Sequence, residues 1–298
     1  MAAPVVESTA QNASSADVSS LVVTAPTGIS VGDYLIAWAG WRDNGSSREL
    51  STPSGWTSLY NSGDEFDGAA LFVKVAVSGD TTAADYTFTF SSNTNYVAAG
   101  ILRISGAASG NENAGNEVDV EGSPTGASPS YTTALTPQSD ESLLVTCYYG
   151  ADTSIGSVPT VSSYAATPSQ TFTERIDTGA QSGGGSGSGI AIGVATAELS
   201  GTAGITNRSA TFSTDMTQGR IGVALIVNAP QNETGTSALL EVSPTFFAGT
   251  SSFGTTGSSA LLEVSPAFFA SNGTGTQPTV WSNETRNNTT WTNEDKSS

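Results

Sequence analysis

The chain has 298 residues, room for one large β domain or two ordinary ones with a well-buried core. Only 12% of its residues are charged, yet 27 acidic side chains against 9 basic ones give a formal net charge of −18, which disfavours contact with phosphate backbones and argues against nucleic acid as a partner. There is no histidine and a single cysteine, so the usual neutral-pH general base, the commonest transition-metal ligand and an intramolecular disulfide are all excluded.

Residues 1–16, "MAAPVVESTAQNASSA", lack the basic and apolar regions of a secretory signal and read as an N-terminal arm of a protein made in a cytoplasm. No run reaches the ~18–20 apolar residues of a membrane span, so no membrane insertion is expected. From residue 17 onward the chain alternates short β-branched and aromatic runs with Gly, Pro, Ser and Asn, the pattern of an antiparallel sandwich. Strands are predicted in "SLVVTAP", "DYLIAWAGW", "GWTSLY", "AALFVKVAV", "YTFTFS" and "VAAGILRIS". A polar, Gly/Pro-rich connection follows, and then "SLLVTCYYG", "QTFTERI", "GIAIGVATAEL", "SATFST" and "RIGVALIVNAP". In "YTFTF", Tyr86, Phe88 and Phe90 share one face and Thr87 and Thr89 the other, as in a half-buried strand. Cys147, inside "SLLVTCYYG", reads as a buried structural thiol. "GAQSGGGSGSG" reads as a flexible loop and lacks the Gly-Lys-Ser/Thr ending of a phosphate-binding loop.

These runs repeat in order. "GDYLIAWAG" corresponds to "DESLLVTCYYG", "AALFVKVAVSGD" to "GIAIGVATAELSGT", and "YTFTFSSNTNYVAAGILRI" to "RSATFSTDMTQGRIGVALIV". Two matching halves can be two small sandwiches or one large jelly roll. Because neither half closes alone at this length, one jelly-roll-like all-β domain over residues 17–229 is expected.

The texture changes after Pro230, and residues 230–298 read as an extended C-terminal arm. "SALLEVSPTFFA" (237–248) returns as "SALLEVSPAFFA" (259–270), and Trp281-Ser-Asn-Glu returns as Trp291-Thr-Asn-Glu. Each strand-like repeat needs a surface against which to bury its face, and strand addition with aromatic anchors is the natural mode. Phe246, Phe247, Phe268, Phe269, Trp281 and Trp291 are the candidate docking residues.

Candidate chemistry is sparse. "SGDEFDG" (62–68) and "NEVDVEG" (116–122) are acidic clusters that fit either a cation site or a solvated edge. No carboxylate pair is singled out for hydrolysis, no metal or cofactor is called for, and no enzyme is expected. Trp56, after a Pro-Ser-Gly turn, and Tyr60 nearby could present faces to a sugar, although core packing competes. Trp41, beside Arg42-Asp43-Asn44-Gly45, is the most loop-like aromatic and the leading candidate for surface contact.

The succession Gly32-Asp33, Pro53-Ser54-Gly55-Trp56, Val75-Ala76, Tyr86-Thr87-Phe88-Thr89 and Ser105-Gly106 resembles a domain of tailed-bacteriophage virion structural proteins and related bacterial surface proteins. "SLLVTCYYG" and "GRIGVALIVNAP" are similar to the second half of that domain, and the ending "WTNE-x-K" resembles phage structural tails. The duplicated "SALLEVSP" departs from the pattern. The resemblance implies a virion protein of the capsid, tail or fibre, whose partners are other virion proteins and copies of itself. It brings no catalytic residues. The alternative is a receptor- or glycan-binding adhesin using Trp41, Trp56 and Tyr60 on a host surface glycan.

Overall fold

In the computed structural model the described residues are 3–43, 48–63, 67–108, 121–122, 130–131, 134–182 and 187–230. They lie within one compact unit, Met1–Asn232. The whole C-terminal arm past 230, with all six of its candidate docking aromatics, lies outside them.

The fold is a jelly-roll-like antiparallel β-sandwich. Its first half contributes β1 (Val5–Ser14), β2 (Val18–Thr24), β3 (Tyr34–Arg42), β4 (Thr57–Gly63), β5 (Asp67–Val75), β6 (Asp85–Thr94) and β7 (Tyr96–Ser105). The second contributes β8 (Glu121–Gly122), β9 (Ser130–Tyr131), β10 (Glu141–Ile155), β11 (Val161–Thr167), β12 (Thr173–Gln181), β13 (Gly187–Ser200), β14 (Thr206–Phe212) and β15 (Gly219–Asn228). Two five-stranded sheets, ordered β1-β7-β3-β5-β4 and β12-β13-β10-β15-β8, form the centre. A β2-β6 ribbon and a β11-β14-β9 sheet lie outside them. Among the described residues no helix is long and apolar enough to cross a membrane.

Side-chain alternation assigns the layers. Tyr34, Ile36 and Trp38 of β3 face Cys147 and Tyr149 of β10, Ile192 of β13 and Leu225 of β15 in the central core. The intervening Leu35, Ala37, Ala39 and Trp41 face outward and are covered by Leu21 and Val23 of β2 and by Phe88 and Phe90 of β6. The second half repeats this: Leu144 and Tyr148 of β10 turn away from the centre, under Leu135 and Ile205 at one end and Val161, Ala210 and Phe212 at the other. Covering on both faces explains why β3 and β10 read as continuous apolar runs while the outer strand β6 alternates.

The repeat is topological. Aligning β3 with β10 places β1, β7, β5 and β4 on β8, β15, β13 and β12, and gives the same strand order in both central sheets. The bridge of Leu50 to Phe90 on β6 stands where β11 pairs with β14. The halves do not exchange strands, because each sheet is built wholly from one half. The jelly-roll character lies inside each half, where the chain passes between the long sheet and its outer cover.

Residues 1–16 differ from expectation. They carry β1, paired with β7 from Val5↔Ser105 to Ser14↔Val97, so the sandwich begins at Val5 and not at residue 17. "VVESTAQNAS" has an exposed edge and needs only one half-buried face, which Ser, Thr and Asn supply poorly as a sequence signal. "GAQSGGGSGSG" is shorter as a loop than its composition suggests: β12 runs to Gln181 and β13 starts at Gly187.

Candidate functional site

Two cross-sheet hydrogen bonds clasp the centre of the sandwich. Trp38 Nε1 donates to the Tyr148 carbonyl at 3.0 Å, and the Tyr149 hydroxyl donates to the Trp41 carbonyl at 2.7 Å. Gly40 and Gly100 on the first sheet admit the Tyr149 ring and the Ile176 side chain, which a Cβ at either glycine would strike. Cys147 is fully buried beside this clasp, and burial raises its thiol pKa far above the ordinary value. It is therefore a packing residue.

The aromatic residues proposed for surface contact fall differently. Trp41 is 1% exposed, on β3 under the outer ribbon, with its ring edge-on to Phe90 at 5.9 Å. Its place at the end of a strand, not in the loop, corrects the surface expectation: Ala39 and Trp41 are on the face that β2 and β6 cover. Its indole N–H finds no hydrogen-bond partner among the described residues. Trp56 does follow a turn, with Gly55 at φ +77 and its N–H donating to the Pro53 carbonyl. Its ring is nonetheless 7% exposed and packs perpendicular to Tyr86 at 5.3 Å. Tyr60 is half-buried on the edge strand β4 and packs on the central core. The three do not converge on an exposed aromatic platform, and the adhesin reading loses its two Trp contacts.

The charges also resolve. Of the nine basic residues, Arg286 and Lys296 lie outside the described residues, and none of the remaining seven is exposed. Arg42 is buried against Asp67, its Nη1 3.5 Å from Oδ2. Arg208 and Arg220 are buried as well. Arg48 pairs with Asp43 at 2.7 Å, Lys74 with Asp80 at 2.7 Å, and Arg103 with Asp33. Asp80 also accepts from the Val77 N–H and the Tyr86 hydroxyl. Burial works to raise its pKa, but the bonds from Lys74, Val77 and Tyr86 outweigh it and hold the carboxyl below its usual value. Asp152 follows the same logic, with burial overcome by the Ser154 N–H and by the hydroxyl and N–H of Thr217. Of the acidic clusters, Asp67 is therefore half of a buried pair, while 64–66 and 116–120 lie outside the described residues.

One open cleft, about 440 Å³, is built on the second half. Ser169, Gln170 and Thr171 wall it, and Thr173 and Arg175 of β12 with Thr196 and Glu198 of β13 form its floor. The floor lies on the face of the sheet that lines the central core further along. Thr173 stands opposite Thr196, and the pairing slips between Glu174 and Ile176, so Arg175 is the extra residue of a β-bulge. That bulge turns Arg175 onto the Thr196 side, where its Nε donates to Thr196 Oγ1 at 2.9 Å. Glu174 and Asp177 belong to the opposite face, where Asp177 accepts from the Val161 N–H. Burial raises both of their pKa values, with mutual repulsion adding to that of Glu174. Sequence reading missed the cleft, since a bulge moves one side chain across the sheet with no residue type that marks it.

No protein-family model, curated protein or solved structure matches this chain. The fold and these geometries stand on the chain's own residues.

Proposed function

We propose that the chain is a structural protein of a tailed-phage particle, with the β-sandwich displayed and the C-terminal arm docked on neighbouring subunits or copies of itself. The observation that carries this reading is where the large aromatics go. Trp38, Trp41 and Trp56 are all buried in the sandwich, so recognition through Trp falls to Trp281 and Trp291 in the arm. The sandwich surface supports it from the other side: no described cation is more than partly exposed, a condition suited to a particle component that must not capture the packaged genome. The pairing of strand-like repeats with Phe and Trp modules fits attachment at several points on one chain.

The test is incorporation into assembled particles. Trp281→Ala/Trp291→Ala and Phe246→Ala/Phe268→Ala should each reduce occupancy strongly, because truncating one buried interface aromatic costs ~2–4 kcal/mol. Glu49→Gln, at an exposed position of the sandwich, should assemble normally. Wild-type occupancy for both arm variants removes the arm from attachment and with it this function.

A further inference from the structure

The cleft of β12 and β13 contains an anomaly of charge. Carboxylates outnumber cations threefold in this chain, 27 to 9, and the other partly exposed described cations, Arg48, Lys74 and Arg103, are each paired with an aspartate. Arg175 is not: it makes no ion pair among the described residues. Its guanidinium is instead fixed from behind by the Nε bond to Thr196, on the floor of an open cleft. Fixing a fork of donors in advance lowers the ordering cost of any ligand it holds.

We propose that this cleft binds the hydroxyl edge of a neutral sugar. Arg175 supplies parallel donors for two adjacent ring hydroxyls. Glu198, exposed on the same floor, accepts from hydroxyl protons. Ser169, Gln170, Thr171, Thr173 and Thr196 line the remainder with groups that mostly both donate and accept. Among the described residues one cation and one carboxylate leave the lining without net charge, and the chain as a whole, at −18, repels an anion. Among the described residues no aromatic ring lines the cleft, so recognition is by hydrogen bonds to a sugar edge and not by stacking on its face. The site goes beyond the structural role proposed above and shares no residue with Trp41, Trp56 or Tyr60.

The experiment is an NMR titration of the full chain with methyl α-D-mannopyranoside, methyl β-D-galactopyranoside and N-acetylglucosamine, with D-glucuronate as the charged comparator. At least one neutral sugar should give saturable shifts centred on the amides of Thr173, Arg175, Thr196 and Glu198. Loss of one charge-assisted hydrogen bond should weaken that sugar about 10-fold or more in Arg175→Ala and in Glu198→Gln. Glu198→Gln changes an exposed side chain, and its unchanged melting curve verifies an intact fold. Arg175→Lys should not restore affinity, because a point charge replaces the fork. The proposal is overturned if no neutral sugar saturates, if the shifts centre elsewhere, or if glucuronate alone binds and Glu198→Gln strengthens it.

Discussion

Replacing Gly40 by alanine measures how closely the two central sheets are seated. A Cβ at Gly40 would lie 2.9 Å from Cγ2 of Ile192 and closer still to the Tyr149 ring, both on the facing sheet. Neither neighbour is a free chain end. Ile192 and Tyr149 are wholly buried, and the Tyr149 hydroxyl is tied to the Trp41 carbonyl. Forcing a methyl group into such a contact costs ~1–3 kcal/mol. Moving the ring off its carbonyl partner adds about 1 kcal/mol. The total is ~2–4 kcal/mol, or roughly 5–15 °C in melting temperature for a unit of this size. Gly79→Ala is the matched control: the exchange is the same and nothing lies within 4 Å of its Cβ, so it should stay within ~0.5 kcal/mol of the parent. Thermal and denaturant unfolding of both variants, followed by circular dichroism, decides the matter. If Gly40→Ala melts with Gly79→Ala, the sheets are not in contact at Tyr149 and the packing described for the centre is wrong.

Three other outcomes are expected. A chain ending at Pro230 should melt cooperatively, since every described strand precedes that residue; a non-cooperative transition by circular dichroism makes the arm part of the fold. Cys147 should resist Ellman's reagent in the native protein and react fully once unfolded, and rapid native labelling contradicts its burial. Asp80 and Asp152 have native pKa values below the ordinary 3.8, so they bind protons more weakly when folded; the stability they contribute is complete above that value and is lost as pH falls below it. Glu174 and Asp177 are raised and act in the opposite sense, stabilising as pH falls through their native values towards 4.5 and 3.8. Asp80→Asn should therefore flatten the acid limb of the stability curve and Asp177→Asn should steepen it, and unchanged limbs in both remove these groups from the linkage.

What the sequence revealed follows from how each strand is buried. Strands covered on both faces, such as "YLIAWAGW" and "SLLVTCYYG", are legible as apolar runs, and β6 is legible by alternation. The order of these runs disclosed the two-half repeat. β1, β9 and β11 were not legible, because "VVESTAQNAS", "SY" and "VSSYAAT" become strands only by pairing with β7 and β14. Trp41 illustrates the other failure. Its neighbours Asp43-Asn44-Gly45 look like loop, while its burial depends on β6, which begins at Asp85, and on Phe90 in particular. Arg175 shows a third: a bulge sets its side, and a bulge has no signature in "QTFTERI".

The matched order of the central sheets has a consequence for how this protein can change. Across the centre β5 meets β15 while β7 meets β13, and these two contacts exchange when one half is laid on the other. That exchange, together with the shared strand order, is the relation a two-fold axis would impose between two joined copies. In a true dimer every substitution appears on both sides of the axis, so a residue that improves one side must be tolerated by its mirror image. Joined in one chain, the halves are released from that constraint. The halves differ accordingly: Gly40 and Gly100 make room on one side for Tyr149 and Ile176 on the other. The interface between the halves is free to become more complementary than self-pairing permits, and each outer surface is free to acquire a role that the other lacks.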